Sequence, residues 1–167
     1  MTGPYRLDQR GPAPPAPPHG RDGRDGRTVI VSSLASDAHT WNLVFLQLLI
    51  EELGYDVVNL GACVPDELLL SETLDRRPRL VVISSLNGHG YQDGMRVIGR
   101  LRAHPALTDT PVVIGGKLGV LGAEGRSHVD DLLAAGFDAV FDDDAESVAV
   151  FRSFAAALSG GTAREPG

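Results

Sequence analysis

The chain has one cysteine, Cys63, which excludes a disulfide framework and any Cys-rich zinc or iron–sulfur site. It has no apolar run near the ~20 residues of a membrane-spanning helix, and its N-terminus lacks the apolar stretch of a secretory leader. The expectation is a soluble, cytoplasmic protein. Basic side chains are the minority, 15 against 22 acidic ones, for a net charge of −7. Nucleic-acid binding needs clustered Lys and Arg on phosphates, so that class is disfavoured. Three common sites are missing too: no GxGxxG follows the first strand-like run, and neither GxxxxGK[ST] nor GxSxG occurs.

What remains is a body able to build a core. The 167 residues suit one domain, and an apolar fraction of 43% rules out a wholly disordered chain. Residues 1–26 stand apart, with six prolines and five glycines, PAPPAPP over 12–18 and an Arg-Asp-Gly repeat from Arg21. Such a stretch is too polar and too Pro-rich to bury, so it is expected to be a disordered tail. The closing SGGTAREPG, 159–167, reads the same way, which leaves 27–158 as the folded domain. Within it, 28–158 carries 18 acidic and 9 basic side chains, so the acidity belongs to the folded body.

That body alternates two patterns. Short β-branched runs occur at 28–33 (TVIVSS), 56–60 (DVVNL), 80–85 (LVVISS), 111–115 (PVVIG) and 138–141 (DAVF). Runs this short and this continuously apolar are strands buried on both faces. Helical stretches separate them at 41–53, 66–76, 94–103, 129–135 and 146–158. Gly54 and Gly136 are placed to end two of these helices, and Pro65-Asp66 is placed to open another. Strict alternation predicts an α/β fold of three layers: a doubly wound, five-stranded parallel sheet with helices on both faces. The flavodoxin-like strand order 2-1-3-4-5 fits this length, and it puts ligands at the switch point beyond the carboxyl ends of strands one and three.

The loops at that edge are therefore the candidate site. After strand one come Ser36-Asp37-Ala38-His39-Thr40-Trp41-Asn42; after strand three, Ser84-Ser85-Leu86-Asn87-Gly88-His89-Gly90. After strand four come Gly115-Gly116 and then Lys117-Leu118-Gly119-Val120-Leu121. An imidazole with a carboxylate two residues away has the arrangement that orients a metal-binding histidine. Paired glycines at a strand end let a flat ligand approach the backbone. Taken singly, each has a plainer reading: Asp37 as a helix N-cap, His39 as a surface residue, the glycines as a turn, Trp41 as a core or cleft-wall aromatic. A phosphorylated receiver domain shares the fold but needs an aspartate ending strand three and a lysine ending strand five. This chain has Ser84-Ser85 and Asp142-Asp143-Asp144 there.

At these loops the sequence resembles the cobalamin-binding domain family, whose signature is Asp-x-His-x-x-Gly, then Ser-x-Leu, then Gly-Gly. The counterparts are Asp37, His39, Ser84, Leu86, Gly115 and Gly116. Within that family it is most similar to the small (sigma) subunits of glutamate mutase, or methylaspartate mutase, over nearly all of 28–150. GYDVVNLG (54–61), ISSLNGHG (83–90) and GFDAVF (136–141) add to the match. Two positions depart from the pattern: Asn42 stands where the family usually has glycine, and three aspartates follow strand five.

The resemblance implies roles. His39 would be the lower axial ligand to the cobalt of adenosylcobalamin, replacing the cofactor's own base (base-off, His-on), with Asp37 on its other ring nitrogen. The displaced nucleotide tail would run between strands one and three. Around it would lie Ser36, Ala38, Thr40 and Asn42, then Ser84, Ser85, Leu86 and Gly88, with Gly115, Gly116 and Lys117 to Leu121 about its far end. The activity implied is that of an isomerase subunit, L-glutamate to 3-methylaspartate by radical rearrangement. It would work at the interface with a TIM-barrel large (epsilon) subunit that holds the substrate. The alternatives are a corrinoid carrier, a cobalamin-sensing module, a mutase subunit for another substrate, or a subunit that has lost its cofactor.

Overall fold

The computed structural model describes residues 26–86, 90–116, 122–141 and 145–164. Five strands form one sheet: β1 (Thr28–Ser33), β2 (Asp56–Gly61), β3 (Leu80–Ser85), β4 (Val112–Gly116) and β5 (Ala139–Phe141). Their order is β2-β1-β3-β4-β5, and every adjoining pair is parallel. The helices are α1 (Trp41–Glu52), α2 (Asp66–Arg76), α3 (Gly90–Arg102), α4 (Gly122–Ala135) and α5 (Ala145–Arg164). The expected three-layer, doubly wound sheet is the one observed. No helix among the described residues is long and apolar enough to cross a membrane.

The apolar runs are continuous because both sheet faces are covered. Successive side chains of a strand point to opposite faces, and the core divides accordingly. Ile30, Val81, Ile83, Val112 and Ile114 face Leu69 of α2, Val97, Ile98 and Leu101 of α3 and Leu132 of α4. Val29, Val31, Leu80, Val82 and Val113 face Leu43, Leu49 and Ile50 of α1 and Phe151 and Ala155 of α5. All six residues of β1 and of β3 are buried. A one-residue slip of either strand would exchange the two faces, so its register is fixed by packing on both sides.

Three boundaries differ from the sequence expectation. Helix α5 runs to Arg164, so the segment 159–167 is not wholly a tail. Each residue added to a formed helix gains one hydrogen bond, and Pro166 restricts only the residue before it. Helix α4 begins at Gly122, seven residues before Val129, and α3 begins at Gly90, four before Gly94. Tertiary contact supports these early turns: the Tyr91 and His128 rings stack with centroids 3.6 Å apart and planes 7° from parallel. Weak local propensity is overridden there by packing. Residues 1–25, where a disordered tail is expected, lie outside the described residues, as do Asn87 to His89, Lys117 to Leu121, Asp142 to Asp144 and 165–167.

Candidate functional site

The first loop is built around one buried carboxylate. Asp37 is 1% exposed, directly beyond β1. Its main chain is held on both sides, the N–H donating to the Leu34 carbonyl (3.0 Å) and the carbonyl accepting from the Cys63 N–H (2.8 Å). One carboxylate oxygen, Oδ1, accepts the His39 backbone N–H at 3.0 Å and lies 2.7 Å from His39 Nδ1. The other, Oδ2, accepts the Leu86 N–H at 2.5 Å, across from the end of β3. Asp37 is not the N-cap of α1: that helix starts at Trp41 and its N-cap is Thr40.

This donor set decides the charge. Burial alone would push the Asp37 carboxyl up, but the Leu86 amide, the His39 amide and the His39 ring outweigh it and hold the group below its ordinary value. A carboxylate that accepts at Nδ1 keeps the imidazole proton there. That leaves Nε2 with its lone pair, the state a metal requires. The His39 side chain is 46% exposed.

His39 opens onto a cleft of about 600 Å³ on the α1/α5 side of the sheet's carboxyl edge. Its walls are mostly apolar: Phe45 and Leu46 from α1, Val82 and Val113 from the sheet, Phe141 from β5, Phe151 from α5. Asn42, Leu86, Gly115 and Gly116 line it as well. The floor depends on the glycines. Gly116 has φ +110°, and a Cβ there would lie 2.1 Å from the Ser85 carbonyl oxygen; a Cβ on Gly115 would press on Phe141 at 3.3 Å. Ser85 is fully buried, and its Oγ is one of the few buried polar atoms among the described residues with no partner. By strand alternation its side chain lies on the face of Val81 and Ile83, and Ser85 is not among the cleft's walls.

Several expected site residues behave differently. Asn42 donates from Nδ2 to Ser84 Oγ at 2.8 Å, tying the start of α1 to the end of β3. Ser36 is not among the cleft's walls; its hydroxyl donates to Asp93 of α3. Ala38 and Thr40 are exposed on the loop. Gly88, Lys117, Leu118, Gly119, Val120 and Leu121 lie outside the described residues.

Phe45, Phe141, Ser147, Val148 and Phe151 line the cleft and were not foreseen there; Trp41, read as a core or cleft-wall aromatic, lines the cleft and is 64% exposed. The available signal was the breadth of apolar sequence in α1, which exceeds the single stripe that a one-sided helix needs. Trp41, Val44, Phe45 and Leu48 form an exposed strip along that helix, at 64, 50, 44 and 58% exposure.

Comparison with known proteins bears on this site. The family model described as the B12 binding domain matches residues 27–149. The glutamate mutase sigma subunit of Halobacterium salinarum is 32% identical over 114 residues, 68% of this chain and 75% of that protein. Sigma subunit 1 of Haloarcula marismortui is 32% identical over 132 residues, covering 75% and 83%. A cobalamin-binding protein from Desulfitobacterium hafniense superposes with a TM-score of 0.60 at 19% identity, covering 77% of this chain. The chain spans 58% of that larger structure, and the likeness is one of fold.

Proposed function

The chain belongs to the B12-binding domain family, and from that premise we propose that it is the small, cofactor-holding subunit of an adenosylcobalamin-dependent carbon-skeleton mutase. The reaction is L-glutamate to 3-methylaspartate, in company with a TIM-barrel large (epsilon) subunit. The observation that carries the cofactor assignment is the Asp37–His39 pair at the mouth of the cleft. Among the described residues no cluster of three or more His, Cys, Asp or Glu side chains stands ready for a metal, and a single imidazole suits a metal that brings its own equatorial set, as cobalt in a corrin does.

The residues present fit the group. His39 Nε2 would hold the metal, with Asp37 keeping the Nδ1 proton in place. The apolar walls of Phe45, Leu46, Val113 and Phe141 would exclude water from a displaced nucleotide base. Gly115 and Gly116 line the same cleft, and a side chain at either would collide with Phe141 or with the Ser85 carbonyl. When bound, the cofactor supplies homolysis of its cobalt–carbon bond, the opening event of the rearrangement.

The two glutamate mutase sigma subunits support glutamate as the substrate. A partner is supported by the exposed strip on α1, which continues outward from the cleft through Trp41 and Phe45. Contiguous apolar surface beside a polar rim marks an interaction face, and a large subunit closing over the corrin would cover it. The test is spectroscopic. Purified chain loaded with cob(II)alamin should show nitrogen hyperfine splitting from an axial imidazole, and His39→Ala should lose it. Identical spectra from the two proteins would refute axial ligation by His39.

A further inference from the structure

A second cluster lies at the N-terminal ends of α2 and α3. Asp66, the first residue of α2, and Asp93, in the first turn of α3, are 7% and 9% exposed. Arg96 joins them. It donates to Asp66 from Nε (2.6 Å) and Nη2 (3.1 Å), a two-pronged contact, and from Nη1 to Asp93 Oδ1 (2.9 Å). Arg100 approaches the same Asp66 carboxylate at 3.6 Å and pairs with Glu67 at 3.0 Å. The remaining Asp93 oxygen, Oδ2, accepts the Ser36 hydroxyl.

Ser36 immediately precedes Asp37 in the chain, so this bond ends at the residue before the carboxylate that orients His39. We propose that the Asp66–Arg96–Asp93 network, acting through the Ser36 hydroxyl, is a positioning clamp that fixes the Asp37–His39 loop for metal ligation. The proposal rests on the reading of His39 as the axial ligand.

Three features favour positioning over general stability. Buried carboxylates paired to arginine add little net stability compared with apolar residues of the same volume, while they hold a directed geometry. The Arg96 fork meets the Asp66 carboxylate on both oxygens, so Asp93 is presented from a fixed point. The Ser36 bond acts on a loop that otherwise lacks regular structure: residues 34–40 belong to no strand or helix. Backbone bonds from Leu34 and Cys63 fix where Asp37 sits, and the Ser36 bond limits how the chain turns on entering it. A metal ligand must be held within about 0.5 Å and 10–20° to be useful.

The experiment uses the full chain and two readouts. The first, on the apoprotein, is hydrogen exchange of segment 36–42. Ser36→Ala should exchange there about tenfold faster, since loss of a tether lowers the local opening free energy, with α2 and α3 unchanged. The second is cob(II)alamin binding. Affinity should fall roughly tenfold, the lower end for loss of an outer partner of a metal ligand, and the imidazole-coupled fraction of the spectrum should fall with it. Ser36→Thr, which keeps the hydroxyl, should restore both. Arg96→Met should reproduce the loop effect, and combining it with Ser36→Ala should add less than the product of the two.

Wild-type exchange and affinity in Ser36→Ala would overturn the clamp. Equal acceleration across α2 and α3 would overturn it as well, because Ser36 would then be a general stability residue. If the wild-type chain shows no imidazole-coupled signal, the cofactor reading fails by itself, and the exchange readout still decides the tether. Should Arg96→Met not fold, the two Ser36 variants carry the test.

Discussion

Replacing Asp37 with asparagine changes one atom and should disable the ligand loop. The native carboxylate accepts from three donors: the Leu86 N–H on Oδ2, and the His39 N–H and Nδ1–H on Oδ1. An amide has only one acceptor oxygen, so two arrangements are possible. With the oxygen toward His39, the new NH2 faces the Leu86 N–H across 2.5 Å, donor against donor. The Leu86 bond is then lost and both groups are buried unsatisfied, a cost of about 1–3 kcal/mol. With the oxygen toward Leu86, the NH2 faces His39, and the imidazole must accept at Nδ1. Its proton then sits on Nε2, where it blocks metal coordination. Either way Asp37→Asn should lose about 1–3 kcal/mol in urea unfolding of the apoprotein. Cobalamin affinity should drop roughly 10–100-fold, with a much smaller imidazole-coupled fraction. Native stability together with native affinity would refute the claim that this carboxylate sets the His39 tautomer.

Further outcomes follow from the same geometry. Gly116→Ala places a methyl 2.1 Å from the Ser85 carbonyl at φ +110°. The ends of β3 and β4 must part, and the left-handed backbone alone costs about 1–2 kcal/mol, so thermal unfolding should occur markedly lower and cobalamin binding should be lost. Asn42→Gly removes the bond to Ser84 and should cost about 1 kcal/mol of stability. A variant as stable as wild type would show that bond to be idle. Trp41 borders the cleft, so its fluorescence should be quenched on cobalamin titration; binding by dialysis without quenching would place the ligand elsewhere. Leu48→Asp, on the exposed strip, should leave cobalamin affinity unchanged and weaken assembly with the large subunit at least tenfold, as a charge set into an apolar contact does. Undiminished assembly would remove α1 from that interface.

Much of the site was legible because its chemistry is local. Asp37 and His39 are two residues apart, within reach of each other in any tight loop, and the glycine pair marks a close backbone approach whatever packs on it. The signature position occupied by Asn42 was harder. The resemblance placed Asn42 beside the cofactor tail; it lines the cleft, and its amide turns to Ser84, 42 residues away. Ser36 was assigned to the cofactor by its position in the loop, yet its hydroxyl is taken by Asp93, 57 residues on. In both cases the partner is set by how helices dock on the sheet, which no local spacing encodes.

The sequence by itself determined the architecture. Continuously apolar five- and six-residue runs can be buried only where helices cover both faces, and strict alternation leaves a parallel sheet with the switch point between β1 and β3. It determined as well that a histidine and a carboxylate meet at that edge. Only the tertiary structure decided which side chains wall the cleft, that Trp41 stands exposed on an apolar strip, and that Leu86 supplies the third donor to Asp37. The physical reason is range. Backbone pattern and nearest-neighbour bonds act over a few residues, while the lining of a cleft is set by where α1 and α5 come to rest against β3 and β4.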